Sequence, residues 1–393
     1  MQCTRACRVG AVATLVSAFS FCPYASALEE GSLLIWYGQG LKEINERFTA
    51  DTGVPVTAEV PEDIPAKFQQ AAAAGAGPDI VVWAHDRAGE WVASGLIDPL
   101  EPSPEFKDSI VDVGWEAFTI DGRIWGYPLR LEAVGLIYNK DLVPEPPQAF
   151  EQIMDLDAKL REQGKEAIRW DINNTYFTFP LLAANGGYAF KDMGDGKYDV
   201  TDTGVNNEGA VKGAEMLMTL IDNGVIPKAA AYSDMEAGVN KGEIAMMLNG
   251  PWSWENLDSA GINYGVAPIP SISGQPSKAF VGVVGAMINS ASPNKDLAKL
   301  YLEEYMLTEE GERSMDSILS IGTPANKAFF EERSSDPRIQ ATMRNAELGE
   351  PMPSVPEMSR FWSAMESALQ NMTQGRQSPQ EALDAAAQRI TGG

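Results

Sequence analysis

Between Leu33 and Ala84 the chain alternates short apolar runs with amphipathic stretches of helical length. That alternation limits the possible folds more than any other feature. "LLIWY" (33–37) reads as a strand, and "GLKEINERFTADTG" as a helix stopped by Gly53. "VPVTAEV" (54–60) is a second strand. "DIPAKFQQAAAAGAG" is a helix opened by an acid and closed by glycine, and "PDIVVWA" (78–84) is a third strand. Strands separated by helices form parallel βαβ units with right-handed crossovers. In such open sheets ligands bind beyond the carboxyl ends of the strands. The turn Gly38-Gln39-Gly40 and the stretch "DIVVWAHDRAGEW" (79–91) both lie at such ends.

The same grammar continues downstream. "GRIWGYPLRLEAVGLIYNKDLV" (122–143) is strand-rich, and "EGAVKGAEMLMTLIDNG" (208–224) is an amphipathic helix followed by glycine. "EIAMMLNGPWSWENL" (243–257) runs from a strand into a turn with two tryptophans, and "FVGVVGAMIN" (280–289) is a glycine-bearing strand. "SPNKDLAKLYLEEYML" starts a helix with proline near its beginning. In "SPQEALDAAAQRI", Ser378, Pro379 and Glu381 form a capping box. No internal repeat or low-complexity linker interrupts the pattern. The expectation is an α/β protein of two domains.

The first residues read as a leader. "MQCTRACRVG" carries Arg5 and Arg8, an apolar run follows to about Cys22, and "PYASA" ends in A-x-A-like spacing. A secretory signal peptide over residues 1–27 is expected, cleaved after Ala27. The run is too short to span a bilayer as a helix. A lipoprotein reading at Cys22 is disfavoured by Phe19 and Phe21 before it. All three cysteines (Cys3, Cys7, Cys22) fall in this segment, so the remaining chain has neither disulfides nor thiolate metal sites. The net charge of −25 argues against nucleic acid and anionic membranes as partners. It suits a neutral or cationic ligand, and equally a soluble exported protein.

Enzyme signatures are absent: there is no G-x-S-x-G, H-E-x-x-H or G-x-x-x-x-G-K-[ST]. The single histidine, His85, reads as a neutral hydrogen-bonded scaffold residue. Neither a metal nor any other cofactor is expected. Asp86 and Arg87 have two readings. A carboxylate accepting hydroxyls beside a donating guanidinium fork can grip a polyol. Alternatively, they form a local ion pair at a helix start. The chain has nine tryptophans. Trp83, Trp252, Trp254 and Trp362 lie in turn-like contexts, as do Tyr176 and Phe177. Flat rings there can stack on sugar C–H faces or simply fill a core.

Longer runs carry a resemblance. "PDIVVWAHDRAGEWVASGLI", "EAVGLIYNKDLVPEPP", "YFTFPLLAANGGYAFK", "NGPWSWENLD", "DPRIQATMRNAELGEPMPSVPEMSRFW" and "GRQSPQEALDAAAQRI" closely resemble the periplasmic maltose/maltodextrin-binding proteins of ABC importers. The likeness runs from about Leu28 to Thr391. It implies a two-lobed Venus-flytrap fold, each lobe a mixed, mostly parallel sheet flanked by helices. It places an N-lobe at 28–130 with 286–331, and a C-lobe at 135–280 with 338–393. Hinges fall at 131–134, 281–285 and 332–337, where Gly282 and Gly285 suit a rotating strand. Residue by residue, Trp83, Ala84, Asp86 and Arg87 match the family's N-lobe grip, and Glu132 its hinge acid. Tyr176, Phe177, Trp252 and Trp362 match its aromatic platforms, and Met352 an apolar neighbour.

Four polar positions depart from the family pattern. The loop after the first strand is shorter and lacks an Asp-Lys pair, with Gln39 the nearest replacement. Asn174 stands for an acid, Ser363 for a tyrosine and Glu366 for an arginine, while Thr175 replaces a proline. Asp86, Arg87, Glu132, Asn174 and Glu366 are then expected to fix hydroxyls while the rings stack. A lost donor costs about 1–3 kcal/mol, so a neutral α-glucoside other than maltose is favoured: a trehalose-like disaccharide, a dextrin or a glucosylated polyol. The expected partners are this sugar and an inner-membrane ABC permease, for a periplasmic monomer that does not insert in membranes. The rival expectation is a secreted glycosidase with Asp86 and Glu132 as acid and base.

Overall fold

The computed structural model describes residues 28–38, 40–194 and 196–392. The expected leader (1–27) and Gln39 lie outside the described residues. The opening alternation is realised as β1 (Leu33–Trp36), β2 (Val56–Glu59) and β3 (Ile80–Ala84), with β1 parallel to both neighbours. The crossover helices span Lys42–Thr52 and Ile64–Ala73. The first ends because Gly53 turns left-handed at φ 75°, its N–H bonding Thr49 O. The second starts because the Asp63 side chain accepts from Ala66 N.

A small hairpin of β4 (Thr119–Ile120) and β5 (Arg123–Ile124) precedes β6 (Tyr127–Glu132) and β7 (Gly135–Asn139). There follow β8 (Glu166–Arg169), the hairpin β9 (Lys191–Gly194) and β10 (Lys197–Asp199), then β11 (Ile244–Asn249) and β12 (Tyr264–Ala267). The last strands are β13 (Phe280–Ile288), β14 (Thr323–Pro324) and β15 (Glu350–Pro351).

Two main sheets result. One runs β14-β6-β13-β3-β1-β2, with β15 beside β13, and the other β12-β7-β11-β8. Parallel pairing is strongest in the βαβ start. β13 runs antiparallel to both β3 and β6, and β7 antiparallel to β11 and β12. The physical reason is that these strands belong to segments entering or leaving the other lobe, so their direction is not set by a crossover helix.

Each sheet anchors its own apolar core. One core draws on 33–131 and 283–329, the other on 133–280 and 339–390. The protein is therefore two-lobed. The chain passes between cores after Leu131, after Phe280 and after Phe329. β13 takes part in both, with Phe280 in the second core and Val283 in the first. Its two glycines differ. A Cβ on Gly285 would stand 2.5 Å from Phe118 and 2.6 Å from Tyr127 O, so this glycine serves close packing. At Gly282 the nearest atom is the Met352 methyl at 3.5 Å, which leaves ordinary room.

Candidate functional site

The end of β3 meets both lobes. Ala84 packs against both cores, and Trp83 against the first. His85 is buried. Its Nδ1 accepts from Val283 N at 2.9 Å, so the ring proton sits on Nε2 and is donated to Met352 O at 2.8 Å. Burial holds its pKa below the ordinary histidine value. The ring is thus a neutral tie between β3, β13 and the 352–354 segment, where Ser354 Oγ also donates to His85 O. This is the scaffold role expected from the sequence. Met352 contributes its backbone to the tie, and its side chain is buried.

Asp86 is buried beside it. Trp362 Nε1 donates to its Oδ2 at 3.0 Å, and Arg87 Nε stands 3.7 Å from the same oxygen. Burial pushes the Asp86 carboxyl up to about 6, against the pull of Arg87 and of the Trp362 bond. Arg87 is shared with Glu90, 3.6 Å away. The ion-pair and polyol-grip readings are therefore compatible: the pair exists, and it lies where the lobes meet. Trp362 packs edge-on to Phe280 and Phe361, at centroid distances of 5.5 and 5.1 Å.

Strand alternation builds the next element. Leu129 and Leu131 of β6 join the first core, while Arg130 and Glu132 share the opposite face. Arg130 Nε donates to Glu132 Oε1 at 2.7 Å, and Nη2 lies 2.6 Å from the same oxygen. Nη1 donates to Tyr37 Oη at 2.7 Å, at the end of β1. The side chains of Arg130 and Glu132 are only 9% and 12% exposed. Burial alone would lower the Arg130 pKa, but Glu132 and Tyr37 more than offset it, so the guanidinium stays charged.

The second lobe supplies rings. Asn174 caps the helix Thr175–Ala183 by accepting from Tyr176 N at 3.0 Å, which sets Tyr176 and Phe177 at the helix start. Trp252 follows β11 in the turn Pro251–Ser253, and its ring lies so close over Gly250 that a Cβ there would sit 2.1 Å away. Tyr176, Phe177 and Trp252 stand 5.7–6.3 Å apart in edge-on and tilted contacts, and Tyr232 joins Phe177 at 5.9 Å. Trp252 Nε1 donates to Tyr232 Oη, whose own proton is oriented toward Glu236. Burial raises the Tyr176 hydroxyl well above its ordinary pKa, and Glu132 and Asp86 raise it further while Arg130 opposes them. The ring cluster of one lobe therefore stands within electrostatic reach of the charged groups of the other.

Two residues fall outside this arrangement. Asn174 is exposed and its oxygen is committed to the cap. Glu366 is exposed on the helix Met358–Thr373, where it accepts from Gln370 one turn on. Trp254 is fully buried core. Conversely, Tyr37, Arg130 and Tyr232 belong to the cluster without having been singled out in the sequence. The i, i+2 spacing of Arg130 and Glu132 on a strand was the available signal. Two open crevices of about 320 and 530 Å³ lie elsewhere, along the ion pairs of Asp258, Glu332, Arg333 and Arg338. Among the described residues, no group of three or more His, Cys, Asp or Glu is placed to hold a metal, and no helix is long and apolar enough to cross a membrane.

Residues 36–313 match the family model described as bacterial extracellular solute-binding protein, and the chain belongs to that family. It is 30% identical over 332 residues to a galactooligosaccharide-binding protein of Bacillus subtilis (strain 168), covering 81% of this chain and 77% of that one. It is 29% identical to a maltodextrin-binding protein of the same organism, over 80% of this chain and 76% of that one. A maltooligosaccharide ABC transporter solute-binding lipoprotein of Streptococcus pneumoniae (strain ATCC BAA-255 / R6) is 25% identical over 89% of this chain and 85% of its own. The resemblance to maltodextrin-binding proteins of ABC importers is thereby borne out. These relatives are named for binding, and they lend the glycosidase reading no support.

Proposed function

We propose that the protein captures a neutral oligosaccharide in the cleft between its lobes and presents the closed form to an ABC permease of the inner membrane. One observation carries this reading: the lobes meet at the Trp362–Asp86 hydrogen bond of 3.0 Å, and Tyr176 of the second lobe's aromatic cluster lies within electrostatic reach of the Asp86, Arg130 and Glu132 charges of the first. Rings suit the apolar faces of a sugar, and carboxylates suit its hydroxyls. A ligand touching both walls binds the closed state better than the open one, and so shifts the population. The chain crossings at 131–134, 281–285 and 332–337 serve as hinges. The mature chain begins at Leu28, acts in the periplasm as a monomer, and turns nothing over.

The favoured ligand is an α-glucoside other than maltose. The polar departures at Gln39, Asn174, Ser363 and Glu366 support this, as does the helix-cap use of Asn174, which removes it from hydroxyl binding. The relatives named for galactooligosaccharide and maltodextrin binding support an oligosaccharide more broadly. The test is a thermal-shift screen of the mature protein against maltose, maltotriose, trehalose, a cyclodextrin, glucosylglycerol and β-1,4-galactotriose. A ligand that binds only the folded state raises the midpoint. A non-maltose glucoside should give the largest shift. A maltose shift as large as any other sinks the specificity reading, and sustained monosaccharide release sinks the binding reading.

A further inference from the structure

We propose that Arg130 is a specificity-determining positioning residue, which fixes the Glu132 carboxylate so that only a donating group of the ligand is accepted beside it. The inference rests on the sugar-binding reading above. Its basis is the way Arg130 spends its donors. Nε and Nη2 both address Glu132 Oε1, and Nη1 addresses Tyr37 Oη. Three contacts in one plane fix the fork, which a lysine ammonium cannot reproduce. Among the described residues, no hydrogen bond is made to Glu132 Oε2.

The ladder partners do not oppose that oxygen. Across the ladder, Glu132 is opposite Gly282 and Arg130 opposite Val284, while β14 places Pro324 against Arg130. None of these brings a polar side chain. A Cβ built at Gly282 would meet the Met352 methyl at 3.5 Å and no polar side chain, so this position of the ladder sends no hydrogen-bonding side chain toward Glu132.

The presence of the pair is by itself weak evidence of a role in stability. Buried ion pairs replaced by apolar residues of similar volume are often neutral or stabilising. This one stands at a chain crossing, where its charges act on Tyr176 of the other lobe. A carboxylate with one oxygen satisfied can only accept at the other. A sugar hydroxyl meets that demand, whereas a uronate or phosphate carries the wrong charge. The pair therefore selects neutral, hydroxyl-bearing rings over acidic ones, and selects among neutral rings by where the hydroxyl points.

The test is a double-mutant cycle on the full mature chain: R130M, E132Q, the double variant and R130K. Maltotriose, trehalose, β-1,4-galactotriose and trigalacturonate are titrated calorimetrically, and urea unfolding is measured alongside. Each single variant should weaken the best-bound neutral sugar by about 30-fold. The double variant should lose no more than the worse single, because the two residues act as a unit. R130K should restore only part of the loss, and trigalacturonate should remain unbound by the wild type. R130M within about threefold of wild type, or losses that multiply in the double variant, would overturn the inference. Should R130M not fold, R130K carries the test, with a loss of about tenfold expected and none overturning the idea. If the wild type binds no sugar in the panel, the sugar reading itself fails. If it binds normally while the variants match it, only the role of Arg130 fails.

Discussion

Where the lobes meet, the first carries charges at strand ends, whereas the second carries rings set at a helix start and a turn. The two walls are built by different means. Each carboxylate has a donor already in place, Trp362 for Asp86 and Arg130 for Glu132. The rings are held by packing, with polar edges tied off inside the cluster, as Trp252 is to Tyr232. Directional groups need partners that fix their direction, and flat surfaces need only neighbours that fix their plane. Under the proposed function, the charged wall decides which hydroxyls are accepted and the ring wall decides how strongly any sugar is held.

Substitutions can break or sharpen that division. Trp252→Ala should cost about 2–4 kcal/mol of affinity, and cost it alike for every sugar bound. Calorimetry against several sugars reads this, and a loss confined to one sugar would break the contrast between the walls. His85→Ala should cost about 2–3 kcal/mol of stability in urea unfolding, because Val283 N–H and Met352 C=O lose their buried partner. The histidine's depressed pKa adds a pH signature. Its contribution is fully present above the ordinary value of 6.5 and is lost as pH falls through the lower folded value. The wild-type advantage over His85→Ala should therefore shrink in acid.

Asp86→Asn sharpens the charged wall. It should cost about 1–2 kcal/mol of sugar affinity, as a lost charge-assisted acceptor does. Its effect on stability has the opposite sign. A carboxyl raised from 3.8 to about 6 stabilises the fold fully below 3.8 and loses that contribution as pH rises through 6. Thermal midpoints should therefore favour the asparagine variant above pH 6 and converge near pH 4. The smallest effect belongs to Glu366→Gln, which should change affinity and stability by less than about 0.5 kcal/mol. A tenfold loss of affinity there would return this residue to the site.

Much of the scaffold was legible because it depends on local rules. Gly53 and Asp63 stop and start their helices as their residue types require, and Ser378 with Glu381 closes the expected capping box. Tyr176, Phe177 and Trp252 stood out in the sequence by their turn-like contexts, whereas Tyr232, in a helical run, did not. Asn174, expected to fix a hydroxyl, is a cap instead: an asparagine just before a helical run has a local use that competes with any ligand. Arg130 escaped notice because its meaning comes from Tyr37, nearly a hundred residues away in sequence, and from the burial of its strand. Glu366 stands one turn beyond Trp362, close enough on the helix to suggest a shared face. Spacing cannot tell which side of that turn meets the neighbouring lobe. Gly285, expected in a hinge strand, is also a point of close approach, which is visible only once Phe118 and Tyr127 are seen against it.

β13 has a consequence for the order of folding. The second sheet is assembled from residues 135–267 alone, a contiguous stretch. The first sheet cannot close until residues 280–288 have joined β3 to β6, and its edge waits further for residues 323–324. Long-range closure of this kind is slow. In a chain made from its amino end, the sheet that is begun first is thus the one completed last, although the second lobe still awaits its helices from residues 339–390.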